Sequence, residues 1–140
     1  MHKIVSILIG ERVFETAYSI NEIISDEEVV VLPDRKERGG AITMIGFEQN
    51  EDTRSEYERW YDAYYYSYYP SKYAVATEVV ISENIKKIVI PHTVTDISCT
   101  AFKNVKDIIF EIDEKNESYK IQDNKIIEIS SGKVIWPCDE

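Results

Sequence analysis

The chain has 140 residues, 44% of them hydrophobic and 30% charged, which is enough for one buried core and too apolar for a disordered tail. Sixteen Lys and Arg against 26 Asp and Glu leave a formal charge of −10. That balance excludes the clustered cations a nucleic-acid backbone requires, and points instead to a basic protein as partner, through an attraction that salt weakens.

Met1 to Gly10 superficially has the form of a signal peptide, but its apolar run is seven residues long and meets Glu11-Arg12 without a small-residue cleavage site. Residues 3–9 read as a strand covered on both faces. No apolar stretch approaches the roughly 20 residues that span a bilayer, so the expectation is a cytoplasmic protein, or else a mature fragment, without a membrane segment. In 11–25, Val13, Phe14, Ala17, Ile20 and Ile24 fit a helical stripe, whereas Phe14, Thr16, Tyr18 and Ile20 fit one face of a strand. The helix is preferred slightly. Val29 to Leu32 is a short strand stopped by Pro33, the polar 34–40 segment is a turn ending in Gly39-Gly40, and Ala41 to Phe47 is a second apolar segment.

Thr53-Arg54-Ser55-Glu56 has the form of a capping box, and Pro70 stands where a helix must stop. Between them Tyr57, Trp60, Tyr61, Tyr64, Tyr65 and Tyr68 share one helical face. Two readings stand together: the stripe covers the open side of the core, or tyrosines off the stripe, Tyr66, Tyr69 and Tyr73, anchor a partner. Six acids of residues 48–62, among them Glu51, Asp52, Glu56, Glu58 and Asp62, face only Arg54 and Arg59. They fit a solvated helix face, and equally a docking patch for a basic partner.

The last 65 residues repeat. Ile85-x-x-Ile88-x-Ile90-Pro91 recurs 20 positions later as Val105-x-x-Ile108-x-Phe110, and a shorter echo at nine positions gives each unit two short strands. Lys125 to Ile129, the Ser130-Ser131-Gly132 turn and Lys133 to Pro137 read as a hairpin that closes the array.

The segment Lys87 to Phe102, with Ile88-Val89-Ile90-Pro91, Val94-x-x-Ile97 and Ala101-Phe102, resembles the bacterial BspA-type leucine-rich repeat. The tail from Asp113 to Tyr119, then Asp123 and the hairpin to Trp136-Pro137, resembles the way that family ends its arrays. Val30 to Pro33 with Ile42 to Gly46 is similar to its first unit, which often carries a Gly-containing insertion after the proline. The resemblance covers 27–47 weakly and 78–137 well. Ser98 stands where the family has Gly, the Phe102 to Val105 connection is shorter, and the Tyr-rich helix has no counterpart. What the resemblance implies is a stack of short parallel strands used as a binding surface without catalysis.

The expected fold is therefore β-rich α/β: a short leucine-rich-repeat-type solenoid with one amphipathic helix and a C-terminal hairpin cap. It forms a single domain over 1–140, with N-terminal strands and a degenerate first repeat at 1–47, the acidic helix at 48–73, and repeats with cap at 78–137. Two cysteines are too few for a disulfide scaffold, and neither Cys99 nor Cys138 lies in a nucleophile motif with His2 or His92. Cys99 is expected in an apolar slot and His92 on a solvated turn. No Cys-x-x-Cys, His-x-x-x-His, calcium-loop or phosphate-loop pattern occurs, so no metal, cofactor or catalytic residue is assigned. The function expected is that of a non-enzymatic immunity or inhibitor protein that neutralises a basic, nuclease-like toxin domain. Its partner-binding residues would be Glu51, Asp52, Glu56, Glu58, Asp62, Tyr66, Tyr69 and Tyr73. The alternative is a general leucine-rich-repeat scaffold or adhesion module.

Overall fold

The computed structural model describes residues 2–12, 15–36, 39–49, 55–65 and 74–137. It opens with two long antiparallel strands, β1 (His2–Arg12) and β2 (Glu15–Ser25). The preference for a helix in 11–25 is overturned, and the register shows why the pattern misleads. Val5 faces Glu22 while Ser6 faces Ile20, so Asn21 is an extra residue in β2, a bulge. The bulge converts the two-residue spacing of inward positions into three, and Ile20 and Ile23 are both fully buried. Ile24, which the helical stripe would have buried, is exposed instead. Asn21 also ties the bulge down, donating from Nδ2 to the Phe47 carbonyl (2.9 Å), while the Ser19 hydroxyl donates to Asn21 Oδ1 (3.1 Å) and accepts from the Phe47 N–H (3.0 Å).

Short strands follow: β3 (Val29–Val31), β4 (Ile42–Ile45), β5 (Phe47–Gln49), then helix α1 (Glu56–Tyr65), β6 (Ala74–Ala76), β7 (Val80–Ile81), β8 (Lys87–Ile90), β9 (Asp96–Ile97) and β10 (Ile109–Ile112). They build two parallel ladders. In one, β3, β8 and β10 lie side by side with Val30, Ile88 and Phe110 in register. In the other, β4 lies between β2 and β9 with Ile20, Ile45 and Ile97 in register, β7 adds to β2, and β1 forms the outer edge. β5 and β6 form a separate antiparallel pair. The architecture is strand-rich, and the described strands form no closed barrel.

The ladders correct the repeat length. Ile88 pairs with Phe110 rather than Ile108, a step of 22 residues and not 20. Apolar residues at Ile108, Phe110 and Ile112 alternate, so the pattern looks the same when slid by two. The frame is set by the connection, where Asp107 takes a left-handed φ of 57° just before the strand. Val30 and Ile45 are 15 positions apart whereas Ile88 and Ile97 are nine apart, so the first unit carries six extra residues, in the turn after Pro33.

Inward side chains of both ladders make one continuous core, with Ile20, Ile23, Val30, Ile45, Ile88, Ile90, Phe102 and Phe110 among its most buried members. Phe110 links the ladders to the C-terminal end: its ring centroid lies 4.6 Å from Phe102 and 4.8 Å from Trp136. Trp136 Nε1 donates to the Phe102 carbonyl at 3.1 Å, which satisfies the one polar atom of a buried indole. The expected closing hairpin is present and gains a strand: β11 (Tyr119–Gln122), β12 (Lys125–Glu128) and β13 (Val134–Trp136) form an antiparallel meander. Asp123 and Asn124, at φ 53° and 60°, make the two-residue turn between β11 and β12 that matches strand twist.

Two residues lock the units together. Buried Asn116 donates from Nδ2 to the carbonyls of Pro91 (3.1 Å) and Val94 (3.0 Å) and accepts at Oδ1 from the N–H groups of Ser118 and Tyr119. Gly46, at φ 79°, sits over Ser98. A Cβ there would lie 2.6 Å from Ser98 Oγ and 2.5 Å from Ala101 Cβ. Ser98 itself needs no left-handed backbone, so serine is tolerated in one unit because glycine occupies the stacked position in the other.

α1 begins at a cap two residues later than Thr53-x-x-Glu56 implies. The Ser55 hydroxyl accepts the Glu58 N–H (3.1 Å) and meets the Glu58 carboxylate (3.1 Å), the Ser-x-x-Glu form of the same motif. Among the described residues, no helix is long and apolar enough to cross a membrane.

Candidate binding surface

Strand alternation sends Val30, Ile88, Ile90 and Phe110 into the core and their neighbours outward. The outward face of the β3–β8–β10 ladder therefore carries two rows across the strands: Val29, Lys87 and Ile109, then Val31, Val89 and Glu111. Val29 is 49% exposed, Val31 64% and Ile109 54%. Lys87 Nζ and Glu111 Oε1 are 2.6 Å apart, so the two charges of this face neutralise each other. What remains is a surface of exposed β-branched side chains around a self-satisfied ion pair. Exposed pairs of this kind add little stability, and apolar residues at outward strand positions are costly to leave in water.

This face was missed in the sequence. The signal is Val29-Val30-Val31 itself: a strand covered on one side should be polar at alternate positions, and this one is not.

Of the predicted residues, the described ones lie on α1 rather than on this face. Glu56 and Glu58 are exposed on α1, beside Tyr57, Trp60 and Tyr61. Asp62 stands on the same helix. Glu51, Asp52, Tyr66, Tyr69 and Tyr73 lie outside the described residues. The expectation that the aromatic stripe covers the core is corrected for its first three members: Tyr57 is 67% exposed, Trp60 49% and Tyr61 36%. They pack on one another, with Tyr57 6.0 Å from both Trp60 and Tyr61 between ring centroids. Ile, Val and Phe of the strands fill the core cluster, and Tyr57, Trp60 and Tyr61 do not belong to it.

Cys99 is also corrected. It is an exposed free thiol on the turn after β9, because that turn directs it away from the slot that Ile97 and Ser98 occupy. His92 is exposed on its turn, Nδ1 standing 3.9 Å from Asp113 Oδ2. Among the described residues, no group of three His, Cys, Asp or Glu side chains is placed to hold a metal ion. An open groove of about 380 Å³ runs between β10 and β11 past Phe110, Ile112, Asn116, Tyr119 and Ile121. Its buried polar side chains are already engaged: Asn116 with the backbone as above, and the Tyr119 hydroxyl accepting the Ile97 N–H at 2.9 Å. Burial pushes the Tyr119 phenol up to about 12, so it stays protonated at neutral pH.

No protein-family model matches the sequence, and no curated protein does. Among solved structures, a leucine-rich cell surface protein from Faecalibacterium prausnitzii A2-165 is similar to it, with a TM-score of 0.42 and 19% identity over 82% of this chain. The match spans 24% of that protein's length.

Proposed function

We propose that this chain is a non-enzymatic protein-binding module, a short leucine-rich-repeat-like stack that serves as a scaffold or adhesion surface through the outward face of β3, β8 and β10. The observation that carries the reading is the set of exposed apolar side chains, Val29, Val31 and Ile109, at outward positions of one parallel sheet. Exposed apolar surface is where protein partners bury area. The resemblance of residues 87–102 to BspA-type repeats agrees with it. The test is site-specific photo-crosslinking from positions 31 and 109, with position 131 on the β12–β13 turn as control, followed by reconstitution with the purified captured protein. Capture shared by 31 and 109 and absent at 131 supports the reading. Equal capture at all three positions, or none that survives reconstitution, contradicts it.

The toxin-inhibitor reading draws on a different surface, the exposed Glu56 and Glu58 flanking Tyr57, Trp60 and Tyr61. It requires a basic partner whose association slows with salt and with reversal of those two charges. The same crosslinking, repeated from position 57, separates the two readings.

A further inference from the structure

The open groove between β10 and β11 is flanked by two strands that each stand at the edge of a sheet. β10 ends the β3–β8–β10 ladder, β11 ends the meander, and among the described residues no backbone hydrogen bond joins them. The direction of the β10 backbone groups follows from its pairing with β8. Ile109 N donates to Lys86 O (2.8 Å) and Asp113 N to Ile90 O (3.0 Å). In a parallel ladder both groups of one residue face the same neighbour and the next residue faces away. Ile109, Glu111 and Asp113 are therefore bonded to β8, while the N–H and C=O of Phe110 and Ile112 turn to the groove, where no described backbone group meets them. Phe110 is 2% exposed and Ile112 half-buried. Main-chain groups withdrawn from water without a partner are rare, so these say what fits: a ligand that brings a main chain of its own. A hydrocarbon would cover Phe110, Ile112, Tyr119 and Ile121 and leave the polar groups unmet.

Charge decides between the strands that could supply it. Glu111 is held by Lys87, and Asp113 accepts the Lys115 N–H (2.9 Å) at Oδ1 and faces His92 at Oδ2. Glu114 and Lys120, both exposed, leave the rim with one charge of each sign, so the groove favours an uncharged segment. A second copy does not supply one. Stacked head to tail in the ladder's own frame, where Val29 and Ile109 both pair with Lys87, its β3 would set Glu27 beside Asp107, Asp34 beside Glu114 and Arg35 beside Lys115. Antiparallel pairing with the same edge of a copy, centred on Phe110, Glu111 or Ile112, sets in turn Asp107 against Asp113, Glu111 against Glu111, and Glu111 against Asp113. Like charges directly opposite are destabilising. We propose that the groove takes an uncharged extended segment of another protein, added as a strand to the free edge of β10, with apolar side chains beside Phe110 and Ile112 and small polar ones between. Such a strand gains main-chain hydrogen bonds from the edge and specificity from alternate side chains. This is a second site, independent of the reading of the outward face.

The probe is the peptide acetyl-Ser-Val-Thr-Val-Thr-Val-Ser-amide at up to millimolar concentration, read by residue-resolved amide hydrogen exchange on the full chain. Strand addition slows exchange at the Phe110 and Ile112 amides about ten-fold or more, leaves the Val29 and Val31 amides at the other edge of the ladder unchanged, and is insensitive to salt. Ile121→Glu places a charge on the apolar wall and abolishes the effect while the rest of the exchange pattern is kept. If that variant misfolds, probes N-methylated at alternate residues serve instead: methylation in one frame removes the donors aimed at β10 and abolishes binding. Binding that survives methylation in both frames, protection at Val29 and Val31 as well, or no protection at Phe110 and Ile112 overturns strand addition at this groove. A probe with lysine or glutamate ends that binds ten-fold more tightly overturns the uncharged occupant, and protection of the two amides by self-association, without probe, overturns it in favour of a second copy. None of these outcomes touches crosslinking from positions 31 and 109, which judges the outward face separately.

Discussion

Gly46→Ala is the sharpest test of the stacking described here. The residue is buried, its N–H donates to Ile20 O (3.0 Å) and its carbonyl accepts from Thr77 N (2.8 Å), so the backbone is held from two sides. The new methyl would stand 2.5 Å from Ala101 Cβ, 2.6 Å from Ser98 Oγ and 2.9 Å from the Thr77 carbonyl. A left-handed φ costs a residue with a Cβ about 1–2 kcal/mol, and overpacking adds about 1–3 kcal/mol. The sum, about 2–5 kcal/mol, is a large part of the 5–15 kcal/mol typical of a domain. Urea unfolding followed by Trp136 and Trp60 fluorescence measures it. Adding Ser98→Gly removes only the Oγ contact, so the double variant recovers less than half of the loss. A Gly46→Ala midpoint within about 0.5 kcal/mol of the parent, the range of an unremarkable surface change, or full rescue by Ser98→Gly, would refute the geometry.

Asn116→Ala strips partners from two carbonyls and two N–H groups and is expected to cost about 3 kcal/mol or more; Asn116→Asp keeps the acceptor but loses both donated bonds, so it should also destabilise, as denaturant titration would show. Tyr119 binds its proton more tightly when folded than when unfolded, its pKa being about 12 against 10.0. Its contribution is thus complete below pH 10 and is lost as pH rises towards 12, about 2–3 kcal/mol in all. Tyr119→Phe should flatten that part of the alkaline stability profile while leaving the Ile97 N–H without its acceptor. Tyr57→Ala should cost less than about 1 kcal/mol in thermal unfolding, since the ring is two-thirds exposed; a loss near 3 kcal/mol would restore the stripe to the core.

Where apolar residues cluster in short runs, as at 29–32, 42–45 and 88–90, the strands could be read directly, and so could the closing turn at Gly132. The N-terminal hairpin was obscured because the apolar residues of 11–25 fit both periods, and the extra residue Asn21 breaks the alternation that would have favoured a strand. The repeat was visible but its step was not, because Ile108, Phe110 and Ile112 admit two frames and only the left-handed Asp107 separates them. β11 was hidden in a segment, Tyr119 to Gln122, with two polar residues in four, and it is placed by the turn at Asp123-Asn124. The tyrosine stripe has genuine helical period, yet period alone does not say whether a face is buried, and the strands had already supplied the interior. For the binding surface, charge and aromatic content drew attention to α1. The apolar outward positions of β3 and β10 became evident only when the register showed which side of each strand faces in.

The most direct test of the account is the affinity of the reconstituted crosslinked partner for the parent protein, for Val31→Glu/Ile109→Glu, and for Ser131→Glu. All three should unfold at the same temperature. The double variant should bind about ten-fold more weakly or worse, equivalent to about 1.4 kcal/mol, and the control should be unchanged. Unaltered affinity in a folded double variant would contradict the claim that the outward face of β3, β8 and β10 is where this protein meets its partner.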